Sequence, residues 1–185
     1  MLRQENCPML RKPFETITDL TADADVVRAR RYGLIVARQA QLQAIHFRPW
    51  PKLISRLEVA TIGRYVHQRS RGDYCWLYYN APLSAPGFLS LVYVISGKET
   101  TWRTFRTALQ ALDEVARLRR AAAIVTDVSN PQITERNLSR NGWEPHCAHL
   151  AGRHYIKRFY GEYQQRERSQ TDREMLASQK ATLPA

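Results

Sequence analysis

The chain has 185 residues, and its 28 lysines and arginines against 17 acidic residues leave a formal net charge of +11. That length suits one domain able to bury its own core without disulfides or metal. The odd set of cysteines, Cys7, Cys75 and Cys147, fits free thiols in a reducing compartment better than a secreted disulfide framework. No apolar run approaches the ~20 residues of a membrane helix, and the start MLRQENCPMLRKPFE lacks the apolar core of a signal peptide, so a soluble, cytoplasmic protein is expected.

Residues 1–21 carry three basic and three acidic side chains and residues 162–185 carry four of each, so the excess lies within 22–161. This divides the chain into an N-terminal segment (1–21), a single domain (22–161) and a polar tail (162–185), expected to be mobile with a helical leaning at 165–178. A basic folded body suits a partner that is an anion, such as nucleic acid, a phosphorylated cofactor or anionic lipid. It also suits an arginine-rich surface with no such partner.

Along the chain, FETIT between Pro13 and Asp19 is at most one edge strand. In TADADVVRARRYGLIVARQAQLQAIHF, Thr21 and two aspartates suit a helix N-terminus, and Leu34, Ile35, Val36, Leu42 and Ile45 share a broad apolar face. A helix is expected there, weakest at Gly33 and ended by Pro49 and Pro51. The next segment, 52–68, fits a helix (Ile54, Leu57, Thr61, Tyr65) and also alternates as a strand, with helix preferred. After the turn SRGD, the aromatic run DYCWLYYN is a strand. Beyond APLSAPG, the apolar run FLSLVYVIS (88–96) reads as the middle strand of the sheet.

Trp102, Phe105, Leu109, Leu112, Val115 and Leu118 recur at helical spacing, with the arginines mostly off that stripe. AAAIVTDV (121–128) is then a buried strand, and the pair joined by this helix makes a right-handed parallel β-α-β unit. In SNPQITERNLSRNG a short helix of about three turns is expected, capped by Ser129 or Asn130, with Pro131 in its first turn, Gln132 completing a capping box and Gly142 at its end. WEPHCAHL and RHYIKRFY, flanking Ala151 and Gly152, suggest a closing antiparallel hairpin. The fold class is α/β or α+β: a mixed central sheet with one parallel β-α-β unit, preceded by N-terminal helices.

From residue 88 onward the order strand, helix, strand, helix, strand, strand resembles the acyl-CoA-binding half of the GCN5-related N-acetyltransferase (GNAT) superfamily. Within it, NPQITERNLSRNGWEPH resembles the family's fourth-helix motif, with Asn130 for the Asn after the strand and Gly142-Trp143 for the Gly-Phe. The resemblance covers roughly residues 88–160. It implies a GNAT-like fold, acetyl-CoA or another acyl-CoA as cofactor, and a small amine or protein as acceptor.

Where the family has a glycine-rich loop that cradles the cofactor's pyrophosphate on backbone N–H groups, this chain has SGKETTWRTF, with Gly97 alone. The cofactor contacts implied here are Gly97, Lys98, Thr100, Thr101 and Arg103 at the start of the helix, together with Asn130. Thr100 or Thr101 equally serves as an ordinary helix cap. Many members carry a Tyr four residues before the motif's glycine as general acid; here Leu138 stands there, so no catalytic residue is assigned. An acyltransferase and a relative that has lost the reaction both remain open.

His146, Cys147, His149 and His154 are zinc-type residues but lack finger spacing, and no metal is expected. Asp127 with Glu135 and His67 with Asp73 are pairs too common to count, and GxSxG, HExxH and GxxxxGK[ST] are absent. The rival class is a basic nucleic-acid-binding protein, with Arg153, His154, Tyr155, Lys157, Arg158 and Tyr160 as phosphate and stacking contacts. The same alternation suits an exposed edge strand guarded by cations. A third reading is an adaptor binding a partner through DYCWLYYN and the tail.

Overall fold

The computed structural model describes residues 13–52, 72–128 and 133–163. In chain order these form β1 (Glu15–Ile17), α1 (Ala24–Ala29), β2 (Tyr32–Arg38), β3 (Gln41–Arg48), β4 (Tyr74–Asn80), β5 (Phe88–Ser96), α2 (Trp102–Arg119), β6 (Ala123–Asp127), α3 (Glu135–Ser139), β7 (Glu144–Pro145) and β8 (His154–Arg158). The eight strands make one sheet in the order β1-β3-β2-β4-β5-β6-β8-β7. Strands β5 and β6 run parallel across α2 and every other pairing is antiparallel, so the expected mixed α+β sheet with its β-α-β unit is present. FLSLVYVIS takes its central place, between β4 and β6. The segment 52–68, read as helix or strand, lies outside the described residues except Lys52.

The long helix expected over 21–47 is instead a one-and-a-half-turn helix, α1, followed by a β-hairpin. In YGLIVAR, burial alternates residue by residue, with Gly33, Ile35 and Ala37 inward, which is the period of a strand. What hid the hairpin is its turn. Gln39 and Ala40 both adopt positive φ, 48° and 58°, in a two-residue connection where Asn-Gly is the usual signal. Tertiary bonds hold this strained pair in place. The Ala40 N–H donates to Thr104 Oγ1 at 2.8 Å, Thr107 Oγ1 donates to the Ala40 carbonyl at 3.1 Å, and the Gln39 N–H donates to the Asp73 carbonyl at 3.1 Å.

Helix α2 covers one face of the sheet, burying Leu109, Leu112 and Val115 against Ile35, Leu77 and Ile124. The first members of the predicted stripe lie outside this core: Trp102 is exposed and tilts against half-buried Phe105. Gly33 is required where it stands, because a Cβ there would lie 2.4 Å from the ring of buried Tyr79 on the neighbouring strand. The C-termini of α1 and α2 cap each other through side chains. Arg119 donates to the carbonyls of Val27, Arg28 and Arg30, and Arg28 returns a bond to the Leu118 carbonyl.

The second predicted short helix is also shorter than expected. Its proposed caps, Ser129 and Asn130, lie outside the described residues, and α3 starts at Glu135 with the Thr134 side chain accepting from the Asn137 N–H. Its end follows the sequence reading. The Trp143 N–H reaches the Leu138 carbonyl and the Gly142 N–H the Ser139 carbonyl, with Gly142 at φ 78°, a Schellman end that buries Trp143 beside Leu138.

The closing hairpin is present, but β8 is not an edge strand: it lies between β6 and the two-residue β7. Its Lys157 points under α2 and pairs with Asp113 at 2.8 Å, both side chains less than a tenth exposed. Burial pushes the Asp113 carboxyl above its ordinary value, with Lys157 pulling the other way. A carboxyl held up in this way favours the native state below its unfolded value, and that contribution is lost as pH rises through the folded value.

Two outcomes follow for stability. Replacing Lys157 by Met alone leaves a buried lone carboxylate and destabilises the fold by about 3–5 kcal/mol, whereas Lys157→Met with Asp113→Leu returns close to wild type; urea unfolding at neutral pH separates the two. Ala40→Gly relieves the left-handed strain and stabilises by about 1 kcal/mol in the same assay. A loss on Ala40→Gly would show that the turn is not strained.

Candidate functional site

The parallel strands β5 and β6 direct their carboxyl ends, and the start of α2, to one end of the sheet, where ligands of open α/β sheets gather. Four of the expected cofactor contacts, Gly97, Lys98, Thr100 and Thr101, lie in the loop there, and Arg103 lies in the first turn of α2. Asn130 lies outside the described residues. Lys98 and Arg103 are exposed. The two threonines are committed to the fold: Thr100 Oγ1 donates to the Tyr74 carbonyl at 2.7 Å, and Thr101 is the N-cap of α2, accepting from the Thr104 N–H. Gly97 closes a turn, its carbonyl accepting from the Thr100 N–H at 3.2 Å.

An anion already sits at this helix N-terminus, and it is the protein's own. Asp73 accepts from the Thr101 N–H at 2.9 Å, from Thr101 Oγ1 at 3.1 Å and from Thr104 Oγ1 at 2.7 Å. Burial works to raise the Asp73 carboxyl, yet these three bonds outweigh it and hold the group below its ordinary value. Asp73 thus sets a carboxylate of the protein's own beside the N-cap of α2, bound to one backbone N–H and two hydroxyls. Sequence reading noted Asp73 only as a partner for His67; the usable signal was an Asp in SRGD preceding a strand whose far neighbour leads into a threonine-rich helix start.

Pairing between the two strands stops early. The register of β5 with β6 runs only from Phe88↔Ala123 to Leu91↔Thr126, whereas β5 continues to Ser96 beside β4. A bulge lies at this point, where Tyr78 faces Tyr93 and Tyr79 faces Leu91, leaving Val92 between the two. Thr126 Oγ1 donates to the Leu91 carbonyl at 3.1 Å and closes the ladder there. Past it, the β6-facing edge of β5 meets no strand among the described residues. Leu138 is buried and has no proton to donate.

The opposite face of the sheet carries a second cluster. Tyr74, Trp76 and Tyr78 alternate on β4, Tyr78 and Tyr93 have ring centroids 6.4 Å apart, and Arg48 at the end of β3 lies 5.1 Å from the Tyr78 centroid. Burial lowers the Arg48 guanidinium from its ordinary value while Tyr78 opposes the shift. The sequence reading missed Arg48, because treating 21–47 as a helix concealed which face the end of β3 presents.

The remaining constellations are dispersed or committed. Among the described residues, no three His, Cys, Asp or Glu side chains gather as metal ligands would. His154 has Nε2 at 3.1 Å from the Ala151 carbonyl and Nδ1 at 4.0 Å from Asp127. Of the six groups in the nucleic-acid reading, Tyr155 and Lys157 are buried and Arg158 is paired with Glu144. No described helix is long and apolar enough to cross a membrane.

Because Asp73 is held below its ordinary value of 3.8, it stabilises the fold above that pH and the benefit fades as pH falls through the lower, folded value. Asp73→Asn therefore destabilises at neutral pH, and its difference from wild type shrinks toward pH ~3. A gap in urea midpoints that stays constant with pH would show that Asp73 acts through shape and not charge.

No protein-family model matches the chain, and no curated protein matches it. Among solved structures, the crystal structure of nourseothricin acetyltransferase shares 12% identity with it, covering 80% of this chain and 99% of that one, with a TM-score of 0.38. A likeness of that size carries no argument about activity, and the mixed α+β assignment stands on the element order and register above.

Proposed function

We propose that the chain is an acyl-CoA-dependent N-acyltransferase of the GNAT-like kind, with the acyl-bearing arm of the cofactor lying between β5 and β6. The observation that supports this reading is the stretch of β5 past Leu91 that pairs with no strand on its β6 side among the described residues, at the carboxyl ends of two parallel strands beside the start of α2. An extended arm bearing amides pairs with a strand edge as another strand would. Exposed Lys98 and Arg103 then meet the cofactor's phosphates as point charges, since the Asp73 carboxylate at the N-cap repels an anion there. In the transfer, the acceptor's amine nitrogen bonds to the thioester carbonyl carbon and gives up a proton, the carbon–sulfur bond breaks, and the leaving thiolate takes up a proton. The proton donor is unassigned.

Asp73 and Leu138 favour a second reading, a relative that retains the cofactor's place without the reaction. Calorimetric titration with acetyl-CoA tests both. Lys98→Ala with Arg103→Ala is expected to weaken binding by about five- to tenfold, and Asp73→Asn to strengthen it by about two- to fivefold by removing a like charge from the helix N-terminus. Absence of heat at millimolar ligand would overturn the proposal. Saturable binding with no acyl transfer to a panel of amines would select the second reading.

A further inference from the structure

Three hydrogen-bond donors on the sheet face opposite α2 are withdrawn from solvent and have no acceptor among the described residues: Nε and Nη2 of Arg48 and Nε1 of Trp76. Buried donors without partners are rare, and each one calls for an explanation. The two Arg48 nitrogens share one edge of the guanidinium plane. That edge matches the two oxygens of a carboxylate, meeting both side by side. Arg48 makes no ion pair among the described residues; instead its guanidinium stacks on Tyr78.

Trp76 precedes Tyr78 by two residues and so projects from the same face of β4. Tyr93 stands opposite Tyr78 in the register and extends the aromatic floor onto β5. Arg48 as a residue is half-buried, so part of it reaches the surface. The fourth buried orphan, the Tyr79 hydroxyl, points to the other face beside Gly33 and belongs to the core.

We infer that Arg48, Trp76, Tyr78 and Tyr93 form a binding site for a small carboxylate with a flat apolar body. The Arg48 edge takes both carboxylate oxygens, the Trp76 indole N–H is a further donor, and the tyrosine rings pack on the body of the ligand. Resting on the acyl-transfer reading, this molecule is the acceptor, an amine that also carries a carboxylate. Tyr93 lies two residues past Leu91, where β5 leaves β6, so the site adjoins the place proposed for the thioester.

The test uses the full chain and three probes, benzoate, benzamide and phenyl phosphate, followed through the indole N–H resonance of Trp76, which Trp76→Phe assigns. Benzoate is expected to shift that resonance saturably and benzamide to leave it in place. Arg48→Lys, which keeps the charge and loses the two-nitrogen edge, should weaken benzoate binding at least tenfold, and Arg48→Met should abolish it. Thermal unfolding of both variants verifies that they fold.

Equal response to benzoate and benzamide, or undiminished benzoate binding by folded Arg48→Met, overturns the proposal. Tighter binding of phenyl phosphate than of benzoate overturns the carboxylate assignment. Benzoate binding by a protein that gives no heat with acetyl-CoA upholds the site and sinks only the acceptor role. Acetyl-CoA binding without any benzoate response sinks the site and leaves the acyltransferase reading intact.

Discussion

The carboxylate of Asp73 ties together three parts of the chain that are far apart in sequence. Its side chain takes the first N–H of α2 and the hydroxyls of Thr101 and Thr104, while its own carbonyl takes the Gln39 N–H from the hairpin turn. Thr104, fully buried, passes the connection on by accepting from the Ala40 N–H. One hydroxyl thus acts as donor and acceptor at once, and it locks the angle between α2 and the β2–β3 hairpin. Without this network the left-handed pair Gln39 and Ala40 would have no reason to hold its conformation.

The same network sets the terms for any cofactor. A helix N-terminus attracts negative charge through its unpaired N–H groups, and here an internal carboxylate lies beside them, bound to the N-cap N–H. A phosphorylated ligand at this end of the sheet relies on exposed cations instead, Lys98 and Arg103. Such contacts are looser than a backbone cradle and more sensitive to salt. The unpaired edge of β5 is independent of Asp73, because it follows from the short span over which β5 and β6 pair.

The two faces of the sheet have divided roles. The α2 face is a conventional core, in which even the ion pair of Lys157 and Asp113 is shut away. The other face concentrates aromatic rings and one guanidinium, two of whose nitrogens lack acceptors among the described residues. A buried cation edge is poor economy for stability alone, which makes Arg48 a candidate for recognition.

Periodicity and local chemistry in the sequence were enough to place β4, β5, α2, β6 and the Schellman end at Gly142, because each rests on nearby residues: alternating aromatics, an apolar run, a stripe at helical spacing, a glycine at positive φ. They could not place the β2–β3 hairpin. Leu34, Ile35 and Val36 fit a helix face as well as a strand, and the turn residues Gln39 and Ala40 carry no local turn signal, so the choice fell to Thr104 and Thr107 more than sixty positions away. The loop after β5 was legible as a segment, and of the two caps it offered, Thr100 and Thr101, the structure takes Thr101. That its N–H group points at Asp73, and that Arg48 meets Tyr78 across β2, depends on register between strands, which only the tertiary structure decides.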